Sequence, residues 1–410
     1  MILSNKTIFG LIVLTLFLGV FFVLREPTTQ TIQTIQTVQE PAITAISVNA
    51  MTNTDNQNYF EAHPVVKAVY VTSWSASRKD YIDYLINLAK NTEINSVVLD
   101  IKDWSGIIGY DTAVSEAEHY GAESIRIKNI EAFIQKLHDE NIYVIGRIAV
   151  FQDPVLAKAR PNLAVQSRAE MSLSPVHFLS SLVSSFSSLA LWLDRLGLEW
   201  IDPASQENWD YNIAIAKDAI SRGFDEINFD YVRFPSDGDL KDMVFPIWDG
   251  KTPKHLVIKD FFKYLRNQLP DAKLSVDLFG LSSSSLDDLG VGQVIEDAFP
   301  YFDYISPMIY PSHYATGFLG FENPAEHPYE VVNYSMKRAS QRLSVFKESN
   351  ESNVQIRPWL QDFDLGATYD AEMVRSEIQA VYDASGENFN GFMLWSPSNY
   401  YTETALKPDN

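Results

Sequence analysis

Short apolar segments alternate with longer amphipathic segments over most of this chain. Most of the short segments begin apolar and end polar, as buried strands do, and they lie at 67–74, 96–103, 143–151, 226–235, 273–280, 304–311, 355–363 and 391–397. In the segments between them, apolar residues recur at helical spacing. This spacing predicts helices at 80–91, 129–140, 211–222, 255–268, 329–346 and 371–384.

The regular succession of strand and helix predicts an α/β protein with a parallel sheet. Eight such repeats favour closure into a (β/α)8 TIM barrel. A doubly wound open sheet is the main alternative, but no Gly-x-Gly-x-x-Gly follows the first predicted strand and no P-loop motif occurs. We therefore expect a barrel over residues 60–410, with an insertion near 168–193.

The N-terminal residues predict attachment to a membrane. Residues 7–24 are uncharged and mostly apolar, and they are long enough to cross the hydrocarbon layer of a bilayer. No small residues follow this apolar run as a signal-peptide cleavage site would require, so an uncleaved anchor over residues 1–27 is the preferred interpretation. The sequence thus predicts a single-pass membrane protein whose catalytic domain lies outside the cytoplasm.

Two further segments are unusual in composition. Residues 28–59 are rich in Thr, Gln, Asn and Ala, which predicts a flexible polar linker, although an additional edge strand is an alternative. Residues 172–191 are apolar and serine-rich, without acids, lysine or arginine. This second segment is a lid over the site, a loop that contacts lipid or a partner, an unusual local insertion, or a packed helical hairpin.

Charge and residue usage exclude several functions. The formal net charge is −21, with 53 acidic against 32 basic residues, which argues against a nucleic-acid partner. The absence of cysteine removes thiolate nucleophiles and cysteine-based zinc sites. The histidines form no His-Glu-x-x-His pair, and no Gly-x-Ser-x-Gly motif occurs. We therefore expect neither a metal nor a cofactor.

Polar and aromatic residues concentrate at the ends of the predicted strands, where a barrel enzyme places its active site. Hydrolysis of a glycosidic bond needs one carboxylate that attacks the sugar or activates water, and a second that protonates the leaving oxygen. Asp230, Asp277 and Asp362 are the candidate catalytic residues. The candidate substrate-binding residues are Asp100, Lys102, Asp103, Arg147, Arg233, Tyr310, His313, Trp359, Gln361 and Trp395.

The surroundings of each carboxylate in the sequence predict its role. Asp230 is the expected nucleophile, because a positive charge such as that of Arg233 would lower its pKa. Asp277 lies in the apolar run Ser-Val-Asp-Leu-Phe, which would raise its pKa toward that of a proton donor. Asp362 either binds sugar hydroxyls or replaces Asp277 as the acid. The separation of the carboxylates, which decides between retention and inversion, is not determined by the sequence.

Four ordered segments carry a resemblance to a known family: Val-Val-Leu-Asp-Ile-Lys-Asp at 97–103, Asn-Phe-Asp-Tyr-Val-Arg-Phe-Pro at 228–235, Pro-Met-Ile-Tyr-Pro at 307–311 and Pro-Trp-Leu-Gln-Asp at 358–362. Together they resemble DUF4015, a family of glycoside hydrolase-like proteins, over residues 66–401. The resemblance implies a glycosidase-like TIM barrel without naming a sugar. The order of acids is also similar to that of α-amylase-type enzymes, except that Asp277 stands where those have Glu, and Arg233 follows its aspartate instead of preceding it.

Two functions from different classes follow. The first is a membrane-anchored glycoside hydrolase that cleaves O-glycosidic bonds in a cell-envelope or extracellular polysaccharide. The second is a non-catalytic glycan-binding barrel at the cell surface, in which aromatic residues stack on sugars and the acids bind hydroxyls: Trp74, Trp104, Trp359 and Trp395. The strand-end carboxylates favour the enzyme.

Overall fold

Eight parallel strands surround the centre of the computed structural model, which describes residues 65–169 and 190–408. We number these barrel strands β1 (Val66–Val71), β2 (Ser96–Lys102), β3 (Tyr143–Ala149), β4 (Glu226–Asp230), β5 (Leu274–Phe279), β6 (Tyr304–Met308), β7 (Trp359–Gln361) and β8 (Gly391–Trp395). Each overlaps one of the predicted strand segments. The prediction of eight strands is therefore confirmed.

The sheet closes on itself because β1 pairs with both β2 and β8. Val69 is in register with Val97 of β2 and with Leu394 of β8. Parallel pairs between consecutive strands from β2 to β8 complete the ring, and a short strand, Gln355–Ile356, extends the pairing of β6 just before β7. This closure confirms the TIM-barrel prediction over the open-sheet alternative.

In the described part of the chain, one main helix between each pair of consecutive barrel strands covers the outside of the sheet. These helices are α1 (Lys79–Asn91), α2 (Ile130–His138), α3 (Gln206–Arg222), α4 (Lys254–Gln268), α5 (Ile295–Ala298), α6 (Pro328–Lys347) and α7 (Ala371–Ser385). Six of them occupy the predicted helical segments. Helix α5 was not predicted, because a helix of four residues is too short to show a periodic pattern.

Helix ends follow from local side-chain chemistry. The Ser205 side chain accepts a hydrogen bond from the backbone N–H of Asn208 and so caps the start of α3, and Asp370 caps α7 through the N–H of Met373. Helix α3 ends at Gly223, whose φ of 105° is accessible mainly to glycine. Ser205 and Asp370 thus fix where α3 and α7 begin, and Gly223 fixes where the chain turns toward β4.

Alternation along the strands separates two buried apolar groups. On β2, Val97 and Leu99 pack outward against the helices, whereas Val98 points into the barrel with Ile145 of β3. Toward the strand starts, the interior also holds a fully buried ion pair between Glu226 and Arg357. The barrel interior is thus a packed core, and the site of a TIM barrel is expected at its C-terminal end.

A β-bulge interrupts this alternation near the end of β2. Asp100 is in register with Arg147, but Lys102, not Ile101, is in register with Ile148. The additional residue turns the side chain of Lys102 away from the barrel interior, to the same side as Ile148. The bulge therefore decides which polar residues of β2 reach the site.

Short strands and helices lie within the loops at the C-terminal end of the barrel. Strand Ile108–Tyr110 pairs antiparallel with β2 and parallel with Glu123–Ile127, and Gln166–Ser167 pairs with Met243–Val244. Single-turn or short helices occupy Ser73–Ala76, Ser115–Tyr120 and Pro154–Ala159. These loops build the rim of the barrel mouth.

The predicted anchor at 1–27, the linker at 28–59 and most of the insertion at 168–193 lie outside the described residues. Within residues 65–169 and 190–408, no helix combines the length and apolar character that crossing a membrane demands.

Candidate active site

One buried arginine connects three carboxylates at the C-terminal end of the barrel. Arg147 of β3 donates from Nη1 to Oδ1 of Asp100 at 2.5 Å and from Nη2 to Oδ2 of Asp230. Its Nε lies 3.7 Å from Oδ2 of Asp277. We call these four residues the Arg147 cluster. A cation that contacts three acids from three other strands fixes the geometry of all of them.

The strand register explains why these residues converge. Asp100 on β2 and Asn228 on β4 are both in register with Arg147, so their side chains point into the barrel at one level. Asp230 lies two residues beyond Asn228 and therefore faces the same side. On β5, Val276 is in register with Phe229, which brings Asp277 alongside Asp230. Parallel strands with ordinary alternation are thus sufficient to assemble the cluster.

Asp277 occupies the drier position of the two central carboxylates. Its Oδ1 accepts hydrogen bonds from Trp359 Nε1 at 2.7 Å and from Asn228 Nδ2 at 2.8 Å. Burial raises the pKa of Asp277 well above the usual carboxyl value, and the negative charge of Asp230 adds to this effect, whereas Arg147 opposes it. Asp277 therefore favours the protonated form that a proton donor needs.

Asp230 contacts one cation and one backbone donor. Besides its contact with Arg147, its Oδ1 accepts a hydrogen bond of 2.5 Å from the backbone N–H of Tyr231. Tyr231 has a φ of 55°, in the left-handed region, where the chain turns as it leaves β4. A cation and a backbone donor both stabilise the negative charge that a nucleophile carries.

Asp100 completes the cluster on the opposite side of Arg147. It accepts hydrogen bonds from Arg147 and from the Tyr70 hydroxyl, the latter at 2.5 Å. Burial raises the pKa of Asp100, and Arg147 opposes this effect. Asp100 therefore holds one end of the guanidinium that also contacts Asp230 and lies near Asp277.

Aromatic side chains form a wall beside the cluster, on the side of β6 to β8. Ring centroids of Tyr310 and Phe363 lie 6.0 and 4.9 Å from that of Trp395, which is partly exposed, and Tyr70 lies 6.1 Å from it. His313 packs against Tyr310 at 5.2 Å, and burial lowers its pKa to about 4. This wall offers rings and a neutral imidazole to a sugar.

Two tryptophans are exposed on the part of the rim that follows β1 and β2. Trp74 follows β1 and Trp104 follows β2, with 63% and 44% of their surfaces exposed. The guanidinium carbon of Arg126 lies 4.3 Å from the centre of the Trp74 ring, and Arg126 is held in turn by Asp103 at 2.9 Å. Exposed indoles such as these two, of which Trp74 is supported by Arg126, suit stacking on a sugar.

Lys102 does not reach the mouth. Because of the bulge in β2, its Nζ lies outside the barrel, where it is fully buried and contacts Oδ2 of Asp153 at 2.6 Å. Asp153 also caps the helix Pro154–Ala159 through the N–H of Leu156. Lys102 therefore makes a structural contact with Asp153 instead of the substrate contact that its place at the end of a strand predicted.

Asp362 and Gln361 contact neighbouring loops. Asp362 accepts hydrogen bonds from the backbone N–H and hydroxyl of Thr402, at 2.8 and 2.7 Å, and burial raises its pKa. Gln361 is fully buried and accepts from the hydroxyl of Ser312 at 2.8 Å. The structure therefore does not bring Asp362 into the Arg147 cluster, and it leaves Asp230 and Asp277 as the central pair.

Arg233 does not contact Asp230, although the sequence suggested that pairing. Its guanidinium carbon lies 4.6 Å from the centre of the Trp200 ring and 4.8 Å from that of Phe279, and within the described residues no carboxylate lies within salt-bridge distance of it. Arg147 makes the predicted contact with Asp230 instead. The predicted pairing failed because the chain turns after β4, so the side chain of a residue three positions after Asp230 need not point toward Asp230.

Two residues of the site were missed from the sequence. Asn228 holds Asp277, and Tyr70 holds Asp100. A signal for Asn228 was present, because a residue two positions before Asp230 on one strand faces the same side. Tyr70 lies within an apolar run and gave no such signal. Among the residues that the structure describes, no group of three His, Asp or Glu side chains could hold a metal ion.

A closed (β/α)8 barrel with two neighbouring carboxylates at its C-terminal end, one ion-paired and one driven toward protonation, is the arrangement of a glycosidase. The sequence comparison agrees. The model of DUF4015, described as "Putative glycosyl hydrolase domain", matches residues 68–401, and the chain belongs to this family. No curated protein matches the chain significantly.

Solved structures similar to the chain include glycoside hydrolase domains. That of PgaB (BpsB) from Bordetella bronchiseptica is 12% identical, with a TM-score of 0.56 over 85% of this chain and 100% of that chain. A hypothetical protein from Ruminiclostridium thermocellum is 35% identical over 54% of this chain and 98% of that chain, with a TM-score of 0.43. The glycoside hydrolase domain of PelA from Pseudomonas aeruginosa is 11% identical over 82% of this chain and 96% of that chain, with a TM-score of 0.39. The PgaB likeness supports the barrel fold alone.

Proposed function

We propose that the chain hydrolyses O-glycosidic bonds in a cell-envelope or extracellular polysaccharide, with Asp230 as nucleophile and Asp277 as general acid and base. The observation that carries this proposal is the Arg147 cluster. It gives two adjacent carboxylates opposite environments, since Asp230 contacts a guanidinium and a backbone N–H, whereas burial favours protonation of Asp277. Carboxyl groups with such different environments are typical of glycosidase sites.

In the first step, a carboxylate oxygen of Asp230 bonds to the anomeric carbon while the bond to the leaving oxygen breaks. Asp277 gives its proton to that oxygen, so the leaving sugar departs as a neutral alcohol and Asp277 becomes a carboxylate. In the second step, Asp277 takes a proton from water, whose oxygen attacks the anomeric carbon and releases Asp230. Both residues return to their starting protonation states.

Arg147 supports this cycle through charge. Asp230 loses its negative charge when it becomes an ester, and Asp277 gains one in the same step. The guanidinium contacts both residues, so a counter-charge is present for whichever of them is ionised. Asp100 stays paired with Arg147 throughout, which keeps the guanidinium in place. We assign Arg147 and Asp100 as positioning residues.

We further propose that residues 7–24 anchor the barrel at a membrane with the site outside the cytoplasm. The support for this part is the length and apolar character of that segment in the sequence. Fractionation of cells that express the full chain, followed by protease treatment from outside, tests it. Recovery in the soluble fraction, or protection from the external protease, would contradict this location.

The enzymatic proposal is tested by incubating the full chain with cell-wall and extracellular glycans and measuring released sugars by mass spectrometry. Asp230→Asn should abolish release, and Asp277→Asn should reduce it by about 10²- to 10⁴-fold, the usual contribution of a general acid. Asp271→Asn is a matched control, since Asp271 is exposed and precedes β5 at the opposite end of the barrel. Undiminished hydrolysis by Asp230→Asn would refute the assignment.

The glycan-binding alternative predicts a different result. The exposed indoles of Trp74 and Trp104 would serve a binding protein as well as an enzyme. Glycan binding that persists in Asp230→Asn and Asp277→Asn, with no product from any glycan, would favour that alternative. If hydrolysis is found, the anomeric configuration of the first product, read by NMR, tests the covalent mechanism, because an inverted product would exclude it.

A further inference from the structure

Arg233 is a buried cation whose charge is not matched by an ion pair. Its surface is only 5% exposed, and its Nη1 donates to the carbonyl of Phe234 at 3.2 Å and to the hydroxyl of Ser236 at 3.1 Å. Within residues 65–169 and 190–408, neither its Nε nor its Nη2 makes a hydrogen bond, and no carboxylate oxygen lies within 4.0 Å. Buried charges in proteins are normally paired, so this guanidinium is unusual.

The two uncommitted nitrogens form one edge of the guanidinium. The N–H groups on Nε and Nη2 are parallel, and this edge matches the two oxygens of a carboxylate. The opposite edge is held by Phe234 and Ser236, while the rings of Trp200 and Phe279 pack at 4.6 and 4.8 Å. The orientation of the free edge is therefore set before any ligand arrives.

The position of Arg233 connects it with the proposed active site. It follows Asp230 by three residues on the loop after β4, and it packs on Phe279, which is two residues after Asp277. Burial lowers the pKa of Arg233 and outweighs the nearby groups that raise it, which are Tyr231, Asp237, Asp230 and Asp194. The chain's own acids thus leave part of this charge uncompensated.

We propose that Arg233 binds the carboxylate of an acidic sugar next to the cleaved bond, so that the substrate is a polysaccharide containing uronic acids or other carboxylated sugars. The inference that the substrate is an acidic polysaccharide rests on the proposed hydrolysis. The inference that Arg233 binds a carboxylate does not. It is also specific, because a chain with a net charge of −21 has no general attraction for acidic glycans. A preference for them has to arise from a local cation.

The experiment compares acidic oligosaccharides with their carboxyl-reduced counterparts, which have the same linkages but no charge. Fragments containing glucuronic or galacturonic acid are titrated by calorimetry into the full chain carrying Asp230→Asn, so that no probe is consumed. We expect at least one acidic probe to bind about 10- to 100-fold more tightly than its reduced form, as one bidentate charge-assisted contact would provide.

Three variants locate the origin of the preference. Arg233→Gln should bring the ratio of the two affinities close to one, and Arg233→Lys, which keeps the charge without the fork, should leave a preference of a few-fold. Arg222→Gln is the matched control, since it removes an arginine from the outer helix α3 that pairs with Glu131, and it should retain the full ratio. Circular dichroism verifies that each variant is folded.

Each outcome decides the inference. Equal binding of every acidic and reduced pair by the parent chain would overturn it, as would a preference that survives in Arg233→Gln. If Arg233→Gln does not fold, the parent chain and Arg233→Lys still give the answer. Hydrolysis of glycans without any preference for acidic ones would reject this inference and leave the proposed function standing. If the preference for acidic probes is lost in Arg233→Gln but no glycan is hydrolysed, the inference about Arg233 stands and the proposed function is rejected.

Discussion

Replacement of Arg147 by methionine tests the electrostatic design of the site. The change removes the cation but keeps a side chain of comparable length. Asp100, Asp230 and Asp277 would then face one another, each with no more than 9% of its side chain exposed. Uncompensated buried carboxylates are costly, and breaking a buried pair by removing one partner typically costs about 3–5 kcal/mol. We expect a loss of this size in the free energy of unfolding at pH 7.

The loss should depend on pH. In the Arg147→Met variant, burial and mutual repulsion raise the folded-state pKa values of the three carboxyl groups above their unfolded values of about 4. Groups with raised folded pKa values stabilise the folded state below the unfolded pKa, and that stabilisation is lost as pH rises through the folded pKa. The variant should therefore approach the parent stability near pH 4 and fall furthest below it at neutral pH.

Urea denaturation of both proteins at a series of pH values measures this effect. Arg160→Met, which breaks the partly exposed pair with Glu207, is the control and should cost at most about 1 kcal/mol, with little dependence on pH. Adding Asp100→Asn to Arg147→Met should recover part of the loss, because it removes one of the opposed charges. A loss for Arg147→Met that is below about 1 kcal/mol, or equal at pH 4 and pH 7, would refute this account of the cluster.

Three further predictions address single residues. The pKa of Asp277 is raised and its protonated form is the proposed acid, so kcat should fall as pH rises through that pKa. Asp277→Asn should remove this decrease at high pH from the pH profile. An unchanged decrease would contradict the assignment of Asp277 as the acid. Lys102→Met should lower the free energy of unfolding by about 3–5 kcal/mol in urea denaturation, because it leaves Asp153 buried without its cation. A change near zero would show that water reaches the pair. Trp74→Ala should weaken binding of long oligosaccharides by about 0.5–1.5 kcal/mol in calorimetric titration while monosaccharide binding is retained, and equal losses for both would rule out a remote stacking position.

The arrangement of the barrel was accessible from the sequence because it depends on repetition. Each strand segment shows its own apolar run, and each long helix shows its own periodic face, so eight weak signals support one another. The predicted strands extend too far at their C-terminal ends, as with 226–235 against the observed Glu226–Asp230. The polar residues that end each strand continue its pattern, but the backbone there already turns into a loop.

The candidate site was predictable where a side chain follows ordinary strand alternation. Asp100, Arg147, Asp230 and Asp277 were all named from strand ends, and the register brings them together. Pairing was not predictable, because it depends on which side chains face each other across strands that lie far apart in the chain. Arg147 rather than Arg233 holds Asp230 for this reason.

By itself, the sequence determined the number of strands, their order along the chain and which acids lie near the strand ends, since these depend on local periodicity and on position within each strand. Tertiary structure alone decided the rest. The bulge at Ile101 turned Lys102 out of the mouth, and the loop after β4 turned Arg233 from Asp230 to the ring of Trp200. Both outcomes depend on packing between distant segments, and a linear pattern does not record such contacts.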